Sequence, residues 1–284
     1  MNMQKTRDYL TATGRVLTVS PTMLLGSIIV GATILITAIS IYVTPYNVTE
    51  MHFMDRLREP TTSFIFGTDQ YGRDIFSRVL VGGRTSLTLG LGAVLLQLLL
   101  GIPIGLVTGY FGGKTDEVLM RLMDTLISIP SLLMALLILS ALGGSMFNAM
   151  LAIGIVGAPR IARVVRSSTL SVKTEEFVLA AKARGESRIF IMFGEILPNV
   201  LSPIIIEATI GVGFAIMIGA SLSYLGLGVQ PPQADWGLMI RQAREYLFTS
   251  PYPMLFPGLA LAVTIIGFNL LGDGLRDFIG EKAE

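Results

Sequence analysis

Apolar residues gather in long runs that charge rarely interrupts. Residues 23–43 carry no charge, and neither do residues 87–110. A third run, about 122–142, has Asp124 near one end and Pro130 inside it. A fourth, 143–165, loses its uncharged character after Pro159, so Arg160 and Arg163 are expected at the membrane edge, where arginine can snorkel. The fifth, about 197–227, is long enough to tilt, kink or include a re-entrant end, and its one acid is Glu207. The sixth is about 253–272. About 20 apolar residues span a bilayer as helix. The pattern therefore predicts an all-α polytopic membrane protein with six transmembrane helices.

Composition agrees. Of 284 residues, 52% are hydrophobic and 14% charged, with mean hydropathy +0.68. A soluble domain carries about 25% charged residues. The net charge of +1 gives no basic field for nucleic acid. The chain has no cysteine, which excludes disulfides, thiolate catalysis and zinc–cysteine sites. Its single histidine, His52, cannot build a metal cluster or a histidine relay. Residues 1–22, with Lys5, Arg7, Asp8 and Arg15, are longer and more polar than a signal peptide's start, and no small-residue cleavage site follows. The first run is read as an uncleaved helix.

Lysine and arginine set the orientation. With the N-terminus inside, 14 basic residues fall in inner segments and seven in outer ones. The cluster from Arg160 to Arg188 decides the matter, because seven basic residues beside a span resist translocation. Both termini are expected in the cytoplasm, with 44–86 as an outer loop and 273–284 as a cytoplasmic tail.

Small residues recur at four-residue spacing: Ala93, Gln97, Gly101, Gly105 and Gly109; Gly154, Ala158 and Ala162; Gly211, Ala215, Gly219 and Ser223. Such stripes let backbones approach. They fit a tightly packed bundle or, alternatively, a moving interface with another subunit. Glu207 lies one turn before Gly211, so it faces protein or water. It is either a functional intramembrane acid on a pathway or an inner-end acid, solvated or paired. Arg121 and Asp124, three apart, are expected to pair on one helix face.

The most informative polar stretch is 174–185. Thr174 suits an N-cap. Glu175 and Glu176 suit the positive helix start, Lys182 and Arg184 its negative end, and Gly185 a left-handed stop. A helix of about three turns would present Phe177, Ala180, Ala181 and Arg184 on one face. That face suits another protein's groove, or it rests on lipid headgroups.

Glu176-Phe-Val-Leu-Ala-Ala-Lys-Ala-Arg-Gly185, followed by Ile196-Leu-Pro-Asn199, resembles the EAA loop of binding-protein-dependent ABC importer permeases. Further motifs resemble the "C" type subunit of the dipeptide/oligopeptide/nickel group. They are Gly67-Thr-Asp-Gln-Tyr-Gly-Arg-Asp74, Gly83-Arg-Thr-Ser-Leu87, Leu222-Ser-Tyr-Leu-Gly-Leu-Gly228, Trp236-Gly237 and Asn269-Leu-Leu-Gly-Asp-Gly-Leu-Arg-Asp277. The sequence departs from the group's pattern where Gly219 replaces an acid, Glu195 a histidine, and Gly280-Glu281 an Asp-Pro.

The resemblance implies a type I ABC importer permease fold, with the transport domain over 84–273. It implies that Glu176, Phe177, Ala180, Ala181, Arg184 and Gly185 form the helix that docks into an ATPase. The expected partners are a similar "B" type permease, two ABC ATPases and an extracytoplasmic binding protein, at the inner membrane. The chain lacks a phosphate-binding Gly-x-x-x-x-Gly-Lys-Ser/Thr loop, so ATP and Mg are expected in the ATPases, with no cofactor and no catalytic residue here. Dipeptides, oligopeptides, nickel or its chelates and glutathione all remain candidate substrates.

Two outer stripes complete the reading. Ile75, Phe76, Val79 and Leu80 accompany an Asp74–Arg78 pair in a short amphipathic helix. Trp236, Ile240, Ala243 and Leu247 form the second, with Arg241 and Glu245 paired opposite and Trp236 at headgroup depth. They are interfacial anchors or, with Trp236, Arg241 and Arg244 in front, part of the surface that meets a binding protein. A competing function is an ion-coupled transporter that uses Glu207 as proton carrier. It leaves the bounded cytoplasmic helix unexplained, and no internal repeat supports it.

Overall fold

A computed structural model describes residues 21–40 and 42–280. Lys5, Arg7, Arg15 and Lys282, which weigh in the orientation reading, lie outside the described residues. The helices are α1 (Pro21–Ile39), α2 (Ile75–Phe111), α3 (Gly113–Ser128), α4 (Ser131–Leu142) and α5 (Met146–Val172). After these come α6 (Glu176–Ala183), α7 (Leu201–Leu225), α8 (Trp236–Ala243) and α9 (Tyr252–Gly280). An irregular helical stretch, 188–199, includes a π segment, Ile191–Ile196, and leads into α7. Among the described residues the only β pairing is an isolated bridge between Thr68 and Asp74.

Five helices (α1, α2, α5, α7 and α9) are each long and apolar enough to cross a membrane. The sixth crossing exists only as a bent pair: α3 and α4 meet at 93°. The expected continuous third span is therefore broken. Pro130 lacks an N–H and pushes the residue before it out of the helical region, and Ile129 is extended (φ −92°, ψ 130°).

The second span starts earlier than its charge-free core suggests. The Asp74 carboxylate caps α2, accepting from the Ser77 backbone N–H (2.8 Å) and hydroxyl (2.6 Å). Arg78 is 1% exposed; it donates to the Val48 carbonyl (2.9 Å) and lies 3.6 Å from Asp69. The expected Asp74–Arg78 ion pair is absent, because the cap takes the acid and the 44–74 loop takes the base. With Arg78 neutralised in this way, the helix continues unbroken from the outer stripe into the span. Likewise α5 begins at Met146, capped by Ser145, and runs beyond Val165 to Val172.

The small-residue stripes lie inside the chain. A Cβ on Gly101 would stand 2.7 Å from Ile161 Cβ, one on Gly105 2.5 Å from Val165 Cβ, and one on Gly109 2.6 Å from Thr169 Cβ. The glycines bring α2 against α5 along much of their length. Gly154 receives Leu96, Gly219 receives Leu89, and Ala215 and Ser223 are fully buried. These contacts fit the packed bundle and leave the α2 stripe no face for another subunit.

Three apolar clusters run from one end to the other. One, at the end that carries α8, joins Ile75 and Val79 to Met239. The middle one joins Leu89, Leu139, Ile153, Ile216 and Phe268 across α2, α4, α5, α7 and α9. The third, at the opposite end, packs Leu106, Ile161 and Val165 against Val178, Ala181 and Ile191.

Candidate functional site

The third cluster seats α6. This helix has eight residues, two turns rather than three. Its N-cap is Glu175, without a side-chain cap bond; the Thr174 hydroxyl turns back to the Ser171 carbonyl (3.4 Å). Glu176 in the first turn and Lys182 in the last match the helix dipole. Gly185 ends it in the left-handed region (φ +78°), with the Glu186 N–H returning to the Ala181 carbonyl (3.2 Å).

Val178 and Ala181 are fully buried, so Ala181 is an anchor and not part of the presented face. Glu176, Phe177, Ala180 and Arg184 are exposed, together with Leu179. Arg184 bonds Glu195 (3.2 Å) and lies 3.6 Å from Glu186. Lys182 sits 5.5 Å above the Tyr110 ring, and Arg188 5.6 Å above that of Phe111. The helix is thus tied to the last turn of α2 and to 188–199, while one face remains outward.

Glu207 has a partner across the bundle. Arg160 Nε lies 2.6 Å from Glu207 Oε1, the Glu207 side chain being 12% exposed and that of Arg160 57%. The approach is close but poorly aligned, and Oε1 makes no hydrogen bond. The pair borders a cavity of about 460 Å³ among α2, α3, α4, α5 and α7. Gln97, Arg163 and apolar side chains such as Ile153 and Phe214 complete its wall. Arg163 reaches Asp124 on α3 (2.6 Å), so the expected Arg121–Asp124 pair does not form; Arg121 stands 4.0 Å from Glu117 instead. Sequence reasoning singled out Glu207 but not Arg160 as its partner. The available signal was the one acid of α7 and the first of three arginines in α5.

At the other end, Trp236 is 2% exposed. Its indole N–H donates to the Val79 carbonyl (2.9 Å), and its ring lies on Gly82 and Gly83. It is an internal strut and not a headgroup anchor. Asp235 caps α8 through the Leu238 N–H (3.1 Å) and accepts the Ser86 hydroxyl (2.6 Å); burial pushes its carboxyl up from the ordinary value despite these bonds. Arg241 and Arg244 are exposed, and Arg241 lies against Gly226 rather than pairing with Glu245. Gln242 accepts from Arg73 (3.2 Å), joining α8 to the outer loop. Among the described residues no group of histidine, aspartate and glutamate could hold a metal ion.

Known proteins are similar to this chain in fold and in sequence. The fold matches a chain of the MetNI methionine ABC transporter, solved in inward-facing conformations, with TM-score 0.58 at 18% identity, over 70% of this chain and 95% of that one. The dipeptide transport system permease protein DppC of Alkalihalophilus pseudofirmus is 42% identical over 91% of this chain and 85% of its own. The probable D,D-dipeptide transport system permease protein DdpC of Escherichia coli is 40% identical over 93% of this chain and 89% of its own. The glutathione transport system permease protein GsiD of Pectobacterium atrosepticum is 40% identical over 85% and 80%. None of these relatives supports the ion-coupled alternative built on Glu207. The profile of the binding-protein-dependent transport system inner membrane component matches residues 101–284, the stretch that contains α6 and most of the cavity wall. With several apolar spans, a type I ABC permease architecture and this degree of likeness, the chain belongs to the family of inner-membrane permease components of binding-protein-dependent transport systems.

Proposed function

We propose that this permease imports short peptides or closely related conjugates and is driven by ATP hydrolysed in separate subunits. The observation that carries the reading is α6. Val178 and Ala181 lock it into the core, while Glu176, Phe177, Ala180 and Arg184 stand outward for a partner. Two ATPases closing on ATP would each grip such a helix. Because α6 is fixed to α2 and α5, its displacement would rock those helices as nearly rigid bodies. The transport domain is assigned to 84–273, and one chain supplies half a pathway, the other half coming from a related permease. The basic cluster from Arg160 to Arg188 supports cytoplasmic termini. The peptide class rests on what the relatives are named for. Arg241 and Arg244 are the candidates for meeting the binding protein, and Trp236 braces the helix that carries the first of them.

The test is purification of the tagged chain from its native membrane in mild detergent, with co-purifying proteins identified by mass spectrometry. The expected result is ATPase subunits together with a related permease. A lone chain or homodimer that moves solute without ATPase contradicts the reading.

A further inference from the structure

The importer reading leaves the Arg160–Glu207 ion pair without a task. Glu207 is largely withdrawn from water, which costs desolvation, and apolar residues of similar size often hold two helices together as well as an ion pair does. Here the pair does not fill a packed interface; it borders a cavity of about 460 Å³. That volume lies within the range of small-ligand sites, about 300–1,000 Å³. Arg160 is more than half exposed, with its guanidinium 5.8 Å from the Phe214 ring centre. Glu207 is nearly enclosed, and its Oε1 faces Arg160 Nε at 2.6 Å. The exposed partner is therefore free to swing, and the enclosed one is held in place. The remaining wall is mainly apolar, with Gln97 donating to the Ile153 carbonyl at 3.4 Å.

We propose that Arg160 and Glu207 form a subsite for a zwitterionic solute within the cavity. Arg160 takes the solute's carboxylate, Glu207 its ammonium group, and the two close on each other when no solute is bound. The inference rests on the proposed peptide import and adds the residues that recognise the solute in the membrane. Charge balance supplies the selectivity. A zwitterion that replaces the ion pair leaves both charges matched. A solute lacking its ammonium leaves Glu207 uncompensated in an apolar wall, and one lacking its carboxylate does the same to Arg160. The ends of an extended dipeptide are about 7 Å apart, so Arg160 must swing away from Glu207, and its exposure permits this. The apolar wall then receives side chains without demanding one in particular.

The test uses the complete importer, reconstituted with its partners. Alanyl-leucine binding is first measured on the wild-type complex in nanodiscs without the binding protein, against N-acetyl-alanyl-leucine. Loss of one charge-assisted contact predicts binding at least about tenfold weaker for the acetylated probe. Equal binding of the two, or binding of neither, overturns the proposal. ATP-driven uptake of alanyl-leucine into proteoliposomes is then compared for wild type, Glu207→Gln, and the double exchange Arg160→Glu with Glu207→Arg. The subsite predicts a KM raised about tenfold in Glu207→Gln. The double exchange restores an ion pair of reversed polarity that a zwitterion turned end for end still matches, so it should recover both assembly and much of the KM lost in Glu207→Gln. Wild-type KM in Glu207→Gln overturns the subsite alone. Absence of alanyl-leucine uptake by the wild-type importer overturns the peptide reading, and this inference with it.

Discussion

The Arg166 guanidinium forks onto Asp116, with Nε 2.5 Å from Oδ1 and a terminal nitrogen 2.6 Å from Oδ2. Together with Arg163–Asp124 it ties α3 to α5 at two points on one side of the 93° bend. Two-point attachment fixes the direction of a short helix that lacks a deep apolar seat; Met123 is its one buried residue. Asp116→Ala should destabilise the complex by about 1 kcal/mol, since the pair is only partly buried. The reversed pair, Asp116→Arg with Arg166→Asp, should recover part of the loss. Thermal unfolding of the four proteins of this double-mutant cycle reads the coupling directly, and strict additivity would remove the latch from the account.

Close helix approach gives a second prediction. At Gly105 a Cβ would lie 2.6 Å from the Ala162 carbonyl oxygen, whereas at Gly258 it would meet nothing within 4 Å. Gly105→Ala should therefore force α2 from α5 at a cost of about 1–3 kcal/mol. Gly258→Ala should be neutral or stabilising by up to about 1 kcal/mol. Yields of folded complex from membranes should rank Gly258→Ala well above Gly105→Ala.

The stop after α6 gives the third. Gly185 has φ +78° and open space around it, so the difficulty for another residue is backbone strain and not a clash. Gly185→Val should carry a penalty of about 1–2 kcal/mol for the left-handed region. The α6 end should shift or fray, so that ATP hydrolysis continues while uptake per ATP falls. Gly185→Asn should be milder, because asparagine tolerates this conformation. Uptake and hydrolysis measured together in proteoliposomes decide the matter; normal coupling in Gly185→Val would count against α6 as the transmitting element.

Apolar runs made the spans legible, and the charge pattern of 174–185 made α6 legible. Two failures of the sequence reading are local pairings that lost to other partners. Asp74 could reach Arg78 at i, i+4, but the Ser77 N–H and the Val48 carbonyl competed better. Arg121 stood beside Asp124, yet Arg163 came from another helix. Trp236 had the pattern of a membrane anchor until the bundle supplied a slot over Gly82 and Gly83, which no spacing within its own helix encodes. Ala181 was assigned to the presented face because eight residues leave the helix phase undetermined until the core shows which side it takes. The bend at Pro130 and the pairing of Arg160 with Glu207 both had a signal in the sequence.

Asp235 supplies a pH prediction. Burial raises its carboxyl above the ordinary 3.8 in the folded state. The folded protein then holds a proton that the unfolded chain releases, so the contribution is fully present below 3.8 and is lost as pH rises through the raised value. Acidification toward the raised value should therefore stabilise the folded chain, read as a higher thermal unfolding midpoint, although protonation weakens the bonds from Ser86 and Leu238. Asp235→Asn should abolish this pH dependence within that window. Identical profiles in the two proteins would show that Asp235 does not titrate there.

The central claim is that the outward face of α6, and not its buried side, meets an ATPase. The chain contains no cysteine, so single substitutions give an unambiguous probe. Ala180→Cys and Ala181→Cys place thiols on neighbouring residues, one exposed and the other fully buried. In the assembled importer, treatment with a short thiol cross-linker should join the Ala180→Cys chain to an ATPase subunit and leave the Ala181→Cys chain unlinked. Linkage from Ala181→Cys with none from Ala180→Cys, or from neither while the ATPases are present, would contradict the account.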